Sequence, residues 1–190
     1  MTNCLRRSLS TVLRLGAAWL LASCVTPMPS DLSATAPVLA AFGAMDQPIT
    51  TSKPEAQRLF NQGVLQAYAF NEREAVRAFK AALAADPACA MCAWGVAWQL
   101  GPNINAPDRG DLTEVRRYAA LARRNMHQAT ARERGLIEAM SARYGGLGVA
   151  VRDPAFFAGD FCGSKGAQPA DPLDIVYAAH LRVLTEIYPD

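Results

Sequence analysis

The chain has 190 residues, of which 51% are hydrophobic and 19% are charged, and its formal net charge at pH 7 is +2. Three arginines and no acidic residue lie in the first 23 residues, so the remainder has a net charge of −1 and no basic surplus that would indicate nucleic-acid binding. The length is sufficient for one domain with a hydrophobic core.

Residues 1–23 have the pattern of a secretory signal peptide. A basic start with Arg6 and Arg7 is followed by a short apolar run, Val12–Leu21, and then by small residues before a cleavage point. Arg14 interrupts the run, and the run is too short to cross a bilayer. We therefore predict that this segment is removed and that the protein is exported.

The end of this segment, Leu-Ala-Ser-Cys at residues 21–24, resembles the lipobox of bacterial lipoproteins. The resemblance implies cleavage before Cys24, a lipid on its thiol and a membrane-anchored lipoprotein. Val25 stands where Asp would favour the inner membrane, so the resemblance implies the periplasmic face of the outer membrane. The alternative is an ordinary secreted protein that carries a cysteine there by chance.

Residues 24–52 are predicted to form a flexible tether rich in proline, because four prolines lie among Ser, Thr and Ala without a sustained period. Within it, the apolar residues 38–45 are predicted to dock on the domain as a short turn. The helical domain is predicted to cover residues 53–190.

The domain opens with two predicted helices. Apolar residues recur at intervals of three and four from Pro54, with Ser52 as the predicted cap of the first helix. Asn71 and Glu74 predict a capping box for the second helix, which ends before Asp86 and Pro87.

This pair resembles a tetratricopeptide repeat (TPR), a helix-turn-helix unit of 34 residues. With Ala56 as the first residue of the repeat, small, aromatic and proline residues fall at the family's characteristic positions. These residues are Gly63, Ala75, Phe79, Ala82 and Pro87. The resemblance implies that Gly63 and Ala75 lie at the close approach of two helices, and that Phe79 fills the space toward the next helix. The predicted fold class is therefore all-α, with TPR-like antiparallel hairpins stacked as a short solenoid.

Later elements follow the family pattern less closely. A second unit is predicted from Ala90, but residues 101–107 form a longer break than a TPR turn has. Further helices are predicted over about residues 112–127, from Thr130 with a capping box to Glu133, and from Asp171 onward. The last helix has an apolar stripe with a further apolar residue beside it, whereas the terminal repeat of a solenoid usually has a polar outer face. This pattern suggests a truncated member of a longer repeat family. The stripe consists of Ile175, Val176, Ala179, Val183 and Ile187, and Leu184 lies beside it.

The Cys89-Ala-Met-Cys92 sequence admits several interpretations. Haem attachment needs His after the second cysteine, and a zinc site needs further ligands. Two thiols and the Met91 thioether suit Cu(I), and the pair also suits thiol redox chemistry. The structural alternative, which we favour, is a pair of small core residues or a disulfide, with Cys162 as a candidate partner of either cysteine.

The functional prediction is a protein–protein interaction module, since no catalytic triad, phosphate loop or paired carboxylates can be identified. We predict that the protein is not an enzyme and needs no cofactor. The TPR resemblance places an apolar, partner-binding groove on the first helix of each repeat, at Phe60, Val64, Tyr68, Met91, Trp94 and Trp98. A strip of arginines at positions 116, 117, 123 and 124 is a solvated face or a contact for an acidic partner or anionic lipid.

Overall fold

The computed structural model describes residues 36–39, 43–103, 111–144 and 172–189. Within these ranges the chain is all-α, as predicted, with six helices and no β-strand. The helices are α1 (Pro54–Tyr68), α2 (Glu72–Ala85), α3 (Ala90–Leu100), α4 (Thr113–Asn125), α5 (Ala131–Arg143) and α6 (Pro172–Ile187), with a 3₁₀ turn at Met126–Gln128.

Helix starts follow local sequence signals, with two corrections. The capping box of α5 is confirmed, because the Glu133 amide donates to Thr130 Oγ1 (3.2 Å) and the Thr130 amide donates to the Glu133 carboxylate (2.7 Å). Asn71 is the N-cap of α2, as predicted, but the predicted box with Glu74 is wrong, because the Asn71 side chain makes no capping hydrogen bond; its amide donates to Gln66 Oε1. The predicted cap at Ser52 is also wrong: the N-cap of α1 is Lys53, and Pro54 at the first position sets the helical φ.

Each helix from α1 to α5 packs on the next one along the chain. In addition, α1 contacts α3, and α3 contacts α5. The first members of three successive helix pairs therefore lie side by side, which brings residues from α1, α3 and α5 to a shared surface.

Phe79 of α2 fills the junction between α1 and α3. It is fully buried, and its ring lies so close to Gly63 and Gly95 that a Cβ atom on either glycine would come within 2.6 Å of it. The ring also packs on Phe60, with 5.3 Å between the centroids. Phe79 therefore fills the space toward the next helix, as predicted, and Gly63 leaves room for its ring.

The segment before α1 is held against the helices, although the sequence analysis places residues 24–52 in a flexible tether. The Leu39 amide donates to Gln62 Oε1 at 2.8 Å, and the Gln62 side chain donates to the carbonyl of Pro37. Further along, the Thr51 hydroxyl donates to Asp86 at 2.6 Å. The described residues before position 53 thus belong with the helical unit, because polar side chains of the helices satisfy their backbone and hydroxyl groups.

Helix α6 packs on α5 with only part of its predicted apolar stripe. Val176 is buried and Leu184 packs against Gly135 of α5, whereas Val183 and Ile187 of the stripe are 52% and 59% exposed. An ion pair between Arg143 and Asp174, at 2.7 Å, also joins α5 to α6. The buried contact of α6 with α5 therefore uses only part of its apolar surface.

Several predictions lie outside the described residues: the signal peptide at 1–23, the lipidation site Cys24, the first residues of the tether, Asp171 and Cys162. Among the helices that the structure describes, none is both long and apolar enough to cross a membrane.

Candidate functional site

A cavity of about 360 Å³ opens where α1, α3 and α5 meet. All six residues predicted to form the partner-binding groove line it: Phe60, Val64, Tyr68, Met91, Trp94 and Trp98. Helical periodicity places the first three on one face of α1 and the last three on one face of α3, and the contact of these helices joins the two faces. We call this cavity the aromatic groove.

Exposure increases from the floor of the aromatic groove to its mouth. Phe60 and Met91 are 1% and 4% exposed, and Trp94 is 9% exposed. The Trp94 and Trp98 rings stack with centroids 5.4 Å apart, and Tyr68, which is 69% exposed, meets Trp98 edge-on at 6.3 Å. The inner residues are therefore also part of the hydrophobic core, while Tyr68 is available to a ligand.

Helix α5 supplies a third wall, which the sequence analysis did not assign to the groove. Leu136 lines the cavity, and its carbonyl accepts a hydrogen bond of 3.1 Å from Trp94 Nε1. Arg132 and Glu133 lie at the polar side of the same wall. The sequence carries no signal that Leu136 faces α3, because Trp94 lies 42 positions away along the chain.

Residues 47–50 supply the fourth wall, although they were predicted to belong to the flexible tether. The Gln57 side chain donates to the carbonyl of Gln47 (2.8 Å) and accepts from the Ile49 amide (3.0 Å). Thr50 donates to the Glu133 carboxylate through both its amide and its hydroxyl, each at 2.6 Å. This segment, which we call the wall segment, is therefore fixed at both ends.

The charge on Glu133 holds the wall segment in place. Burial alone would raise the pKa of Glu133, but hydrogen bonds from Thr50 and Thr130 stabilise the carboxylate and hold the pKa below its ordinary value. Because the folded pKa is lower than the unfolded one, the resulting stabilisation is complete above the ordinary Glu pKa of about 4.3. It is lost as the pH falls through the lower pKa of the folded protein.

We expect Thr50→Val to lower the free energy of unfolding by about 1.5–3 kcal/mol at pH 7, because it removes a hydrogen bond to a charged carboxylate. Denaturant titrations of the wild type and the variant measure the difference. That difference should shrink as the pH falls below about 4.3 and Glu133 takes up a proton. Thr185→Val, at an exposed threonine of α6, is the matched control and should change little. A difference that is independent of pH would contradict the role of Glu133.

Cys89 and Cys92 form a disulfide with each other at the start of α3. The predicted pairing of either one with Cys162 is therefore not the arrangement in the structure, because both sulphur atoms are already bonded. The two residues are 1% and 0% exposed, so the bond lies inside the domain. A separation of three positions brings the two side chains together within one turn of the chain, which makes the local pairing accessible without any tertiary contact.

Cys89, Met91 and Cys92, the alternative metal site, are not available in the structure as three free ligands. The two sulphur atoms of the cysteines are bonded to each other, and Met91 lines the aromatic groove. In the described ranges, no three His, Cys, Asp or Glu side chains lie close enough to hold a metal ion. The stronger candidate site is therefore the aromatic groove.

No protein-family model, curated protein or solved structure matches this chain.

Proposed function

We propose that this chain is a protein-interaction module that uses the aromatic groove to bind an apolar segment of another protein. The observation that carries the proposal is that six residues chosen from the sequence as groove positions line one cavity. Tyr and Trp are the residues that most often dominate binding energy in protein interfaces. Their concentration at an open cavity is typical of a binding surface.

TPR-like stacking of the helices is part of the proposal. It is supported by the contacts among α1, α3 and α5, which are the first helices of three successive pairs. It is also supported by Phe79, which stands between Gly63 of one pair and Gly95 of the next. In a solenoid of such pairs, each pair buries its apolar face on its neighbour, and the first helices line a common concave surface.

The size of the groove limits what it binds. About 360 Å³ is near the lower end of the range for ligand pockets, and it is too small for a whole helix. The proposed ligand is therefore a peptide segment that inserts one or two large apolar side chains, while the rest of the segment lies along the surface. Tyr68, at the exposed mouth, would meet the ligand first.

The anchoring of this module is a second part of the proposal. We infer that Cys24 is lipidated and that the domain faces the periplasm from the outer membrane. The support is the signal-like segment, the Leu-Ala-Ser-Cys sequence and Val25 after the cysteine. Several acyl chains, each contributing about 0.8 kcal/mol per buried CH₂ group, hold a protein stably on a bilayer.

We expect Cys24→Ser to abolish incorporation of a labelled fatty acid, because serine offers no thiol for the lipid. The variant should accumulate as an unprocessed or soluble form in cell fractionation. Cys162→Ser is the matched control and should label like the wild type. Equal labelling of the Cys24→Ser variant would contradict the anchor.

Site-specific crosslinking tests the binding function directly. A photoreactive amino acid at position 68 should capture a partner in the native membrane, whereas the same residue at position 70 should not. Phe70 is 78% exposed but does not line the aromatic groove, so it reports non-specific capture. Equal capture at both positions would argue against the groove as the binding site.

The alternative function, Cu(I) binding or thiol redox chemistry, has weaker support. Both sulphur atoms of the Cys89–Cys92 pair are bonded and almost inaccessible to a redox partner. A Cu(I) titration of the reduced protein, with the double variant Cys89→Ser/Cys92→Ser as the control, tests this alternative.

A further inference from the structure

The wall segment divides a longer cleft into two cavities. The aromatic groove lies on one side of it, and a second cavity of about 390 Å³, bordered by α3, α5 and the 3₁₀ turn, lies on the other side. Four residues line both cavities: Ile49, Thr50, Met91 and Glu133. The first two belong to the wall segment, and the others belong to α3 and α5. The wall segment therefore occupies the middle of the cleft, where a bound peptide would lie.

Side chains of the helices bind the backbone of the wall segment. Three helix residues accept hydrogen bonds from its amides: Asn61 from Gln47 at 3.2 Å, Gln57 from Ile49 at 3.0 Å and Glu133 from Thr50 at 2.6 Å. The remaining residue, Pro48, has no N–H to donate. Every backbone donor of the wall segment is thus bound by a helix side chain, so the cleft recognises a backbone rather than one particular sequence.

The bound backbone is extended. Residues 47–49 form neither helix nor turn, and the residue before a proline is restricted to the extended region. With one side chain, Gln57 binds the carbonyl of residue 47 at 2.8 Å and the amide of residue 49 at 3.0 Å. In an extended chain these two groups point to the same side, because the pattern repeats every two residues.

Helix α1 carries a second glutamine that binds the chain in the same way. Gln62 donates to the carbonyl of Pro37 at 2.9 Å and accepts from the amide of Leu39 at 2.8 Å. Both glutamines therefore join the carbonyl of one residue to the amide two positions later, and that later residue is aliphatic in both segments. Each segment of three residues also contains a proline. Because the two sequences otherwise differ, their shared chemistry is an extended backbone, a proline and an aliphatic side chain.

The wall segment is held in a way that allows its exchange for another segment. Among the described residues, its backbone makes hydrogen bonds to side chains and none to other backbone groups. Pro48 is exposed, and Ile49 and Thr50 are only partly buried. A peptide that forms the same hydrogen bonds replaces them at little net cost, and it gains free energy from any further apolar side chain that it buries in the aromatic groove. The bond of Thr51 to Asp86 marks where a released segment would still be attached.

We propose that the wall segment is an internal competitor, and that an extended segment of a partner protein takes its place in the cleft. The partner segment uses the same acceptors, Gln57, Asn61 and Glu133, and inserts a large apolar side chain into the aromatic groove. Its chemistry is that of the two segments already bound to α1, with a proline and an aliphatic residue in an extended chain. This inference rests on the proposed function and adds to it the backbone conformation of the ligand and the event that opens the site.

A labelled peptide with the sequence of residues 45–52 is the probe, and fluorescence anisotropy measures its affinity for the full chain. The wild type should bind it weakly, because its own segment competes at a high effective concentration. Thr50→Val removes a hydrogen bond to a charged carboxylate and so weakens that segment, which should raise the apparent affinity about tenfold. Ile49→Ala weakens the same segment and should act in the same direction if Thr50→Val folds poorly. Thr185→Val is the matched control and should leave the affinity unchanged.

The helix groups and the displacement itself are tested in the Thr50→Val chain. Gln57→Leu should weaken peptide binding about tenfold, whereas Gln62→Leu, which removes the same amide from α1 away from the wall segment, should not. A peptide whose isoleucine is N-methylated lacks the N–H that donates to Gln57 and should also bind about tenfold more weakly. The amides at positions 49 and 50 of the chain should exchange hydrogen faster when the unmodified peptide is bound.

Equal affinity in the wild type and in both weakened variants would overturn the proposal. Peptide binding that leaves hydrogen exchange at positions 49 and 50 unchanged would also overturn it. So would a dimer of the Thr50→Val chain that forms without binding the peptide, because the released segment would then occupy the cleft of a second copy. Capture at position 68 without peptide binding would overturn this inference and leave the proposed function standing. Loss of capture at position 68 with peptide displacement intact would count against the proposed function alone.

Discussion

Phe79→Ala is expected to lower the free energy of unfolding by about 3–5 kcal/mol, the range for removing a fully buried aromatic side chain. The ring occupies the space between Gly63 and Gly95, and neither glycine has a side chain that would fill the resulting cavity. Denaturant titration followed by circular dichroism measures the change. Phe70→Ala is the matched control, because Phe70 is 78% exposed and its truncation should cost little.

Gly63→Leu tests the same junction from the other side. A leucine side chain would overlap the Phe79 ring, so we expect a loss of about 1–3 kcal/mol or more. Comparable stability of Phe79→Ala and Phe70→Ala, or an unchanged melting temperature in Gly63→Leu, would show that α1, α2 and α3 do not pack as described. It would also remove the main structural support for TPR-like stacking.

Tyr68→Ala is expected to weaken binding of the partner captured at position 68 by about thirtyfold, which corresponds to about 2 kcal/mol for the loss of an aromatic anchor. Because Tyr68 is 69% exposed, the variant should keep the helical content and melting temperature of the wild type. The affinity of purified protein for that partner is the measurement. Phe70→Ala again serves as the control, with one exposed aromatic ring removed outside the groove.

Trp98→Ala extends this test toward the floor of the groove. Trp98 is half-buried and contacts both Tyr68 and Trp94, so its truncation should reduce binding with a moderate loss of stability. Trp94 is unsuitable for this purpose, since it is nearly buried and donates a hydrogen bond to α5. Undiminished affinity in folded Tyr68→Ala and Trp98→Ala would rule out the aromatic groove as the binding surface.

The helices could be predicted from the sequence because their signals are local. Proline at the start of α1 and the Thr130–Glu133 box each involve residues within four positions. The periodicity of apolar residues also assigned Phe60, Val64 and Tyr68 to one face, because side chains three and four positions apart share a face. The same local reasoning failed in part at Asn71, which is the N-cap of α2 but whose side chain makes no capping hydrogen bond and instead donates to Gln66 Oε1.

The cysteine pairing and the buried face of α6 were both left open by the sequence. The structure bonds Cys89 to Cys92, a pairing within one turn of the chain, rather than either one to Cys162. The buried face of α6 was decided by the tertiary structure, because apolar residues lie on two sides of the helix and only contact with α5 selects Val176 and Leu184. That choice depends on how the two helices cross, which periodicity within one helix does not specify.

By itself, the sequence determined the positions of the helices and the two apolar faces on α1 and α3, since both follow from spacings within a turn or two of helix. That the two faces share one groove was implied by the TPR resemblance. Only the tertiary structure decided that Glu133 holds Thr50 across 83 positions and that the wall segment closes one side of the cavity. The physical reason is that a hydroxyl and a carboxylate so far apart carry no shared pattern in the chain. Their hydrogen bond exists only after packing of α1, α3 and α5 has brought them together.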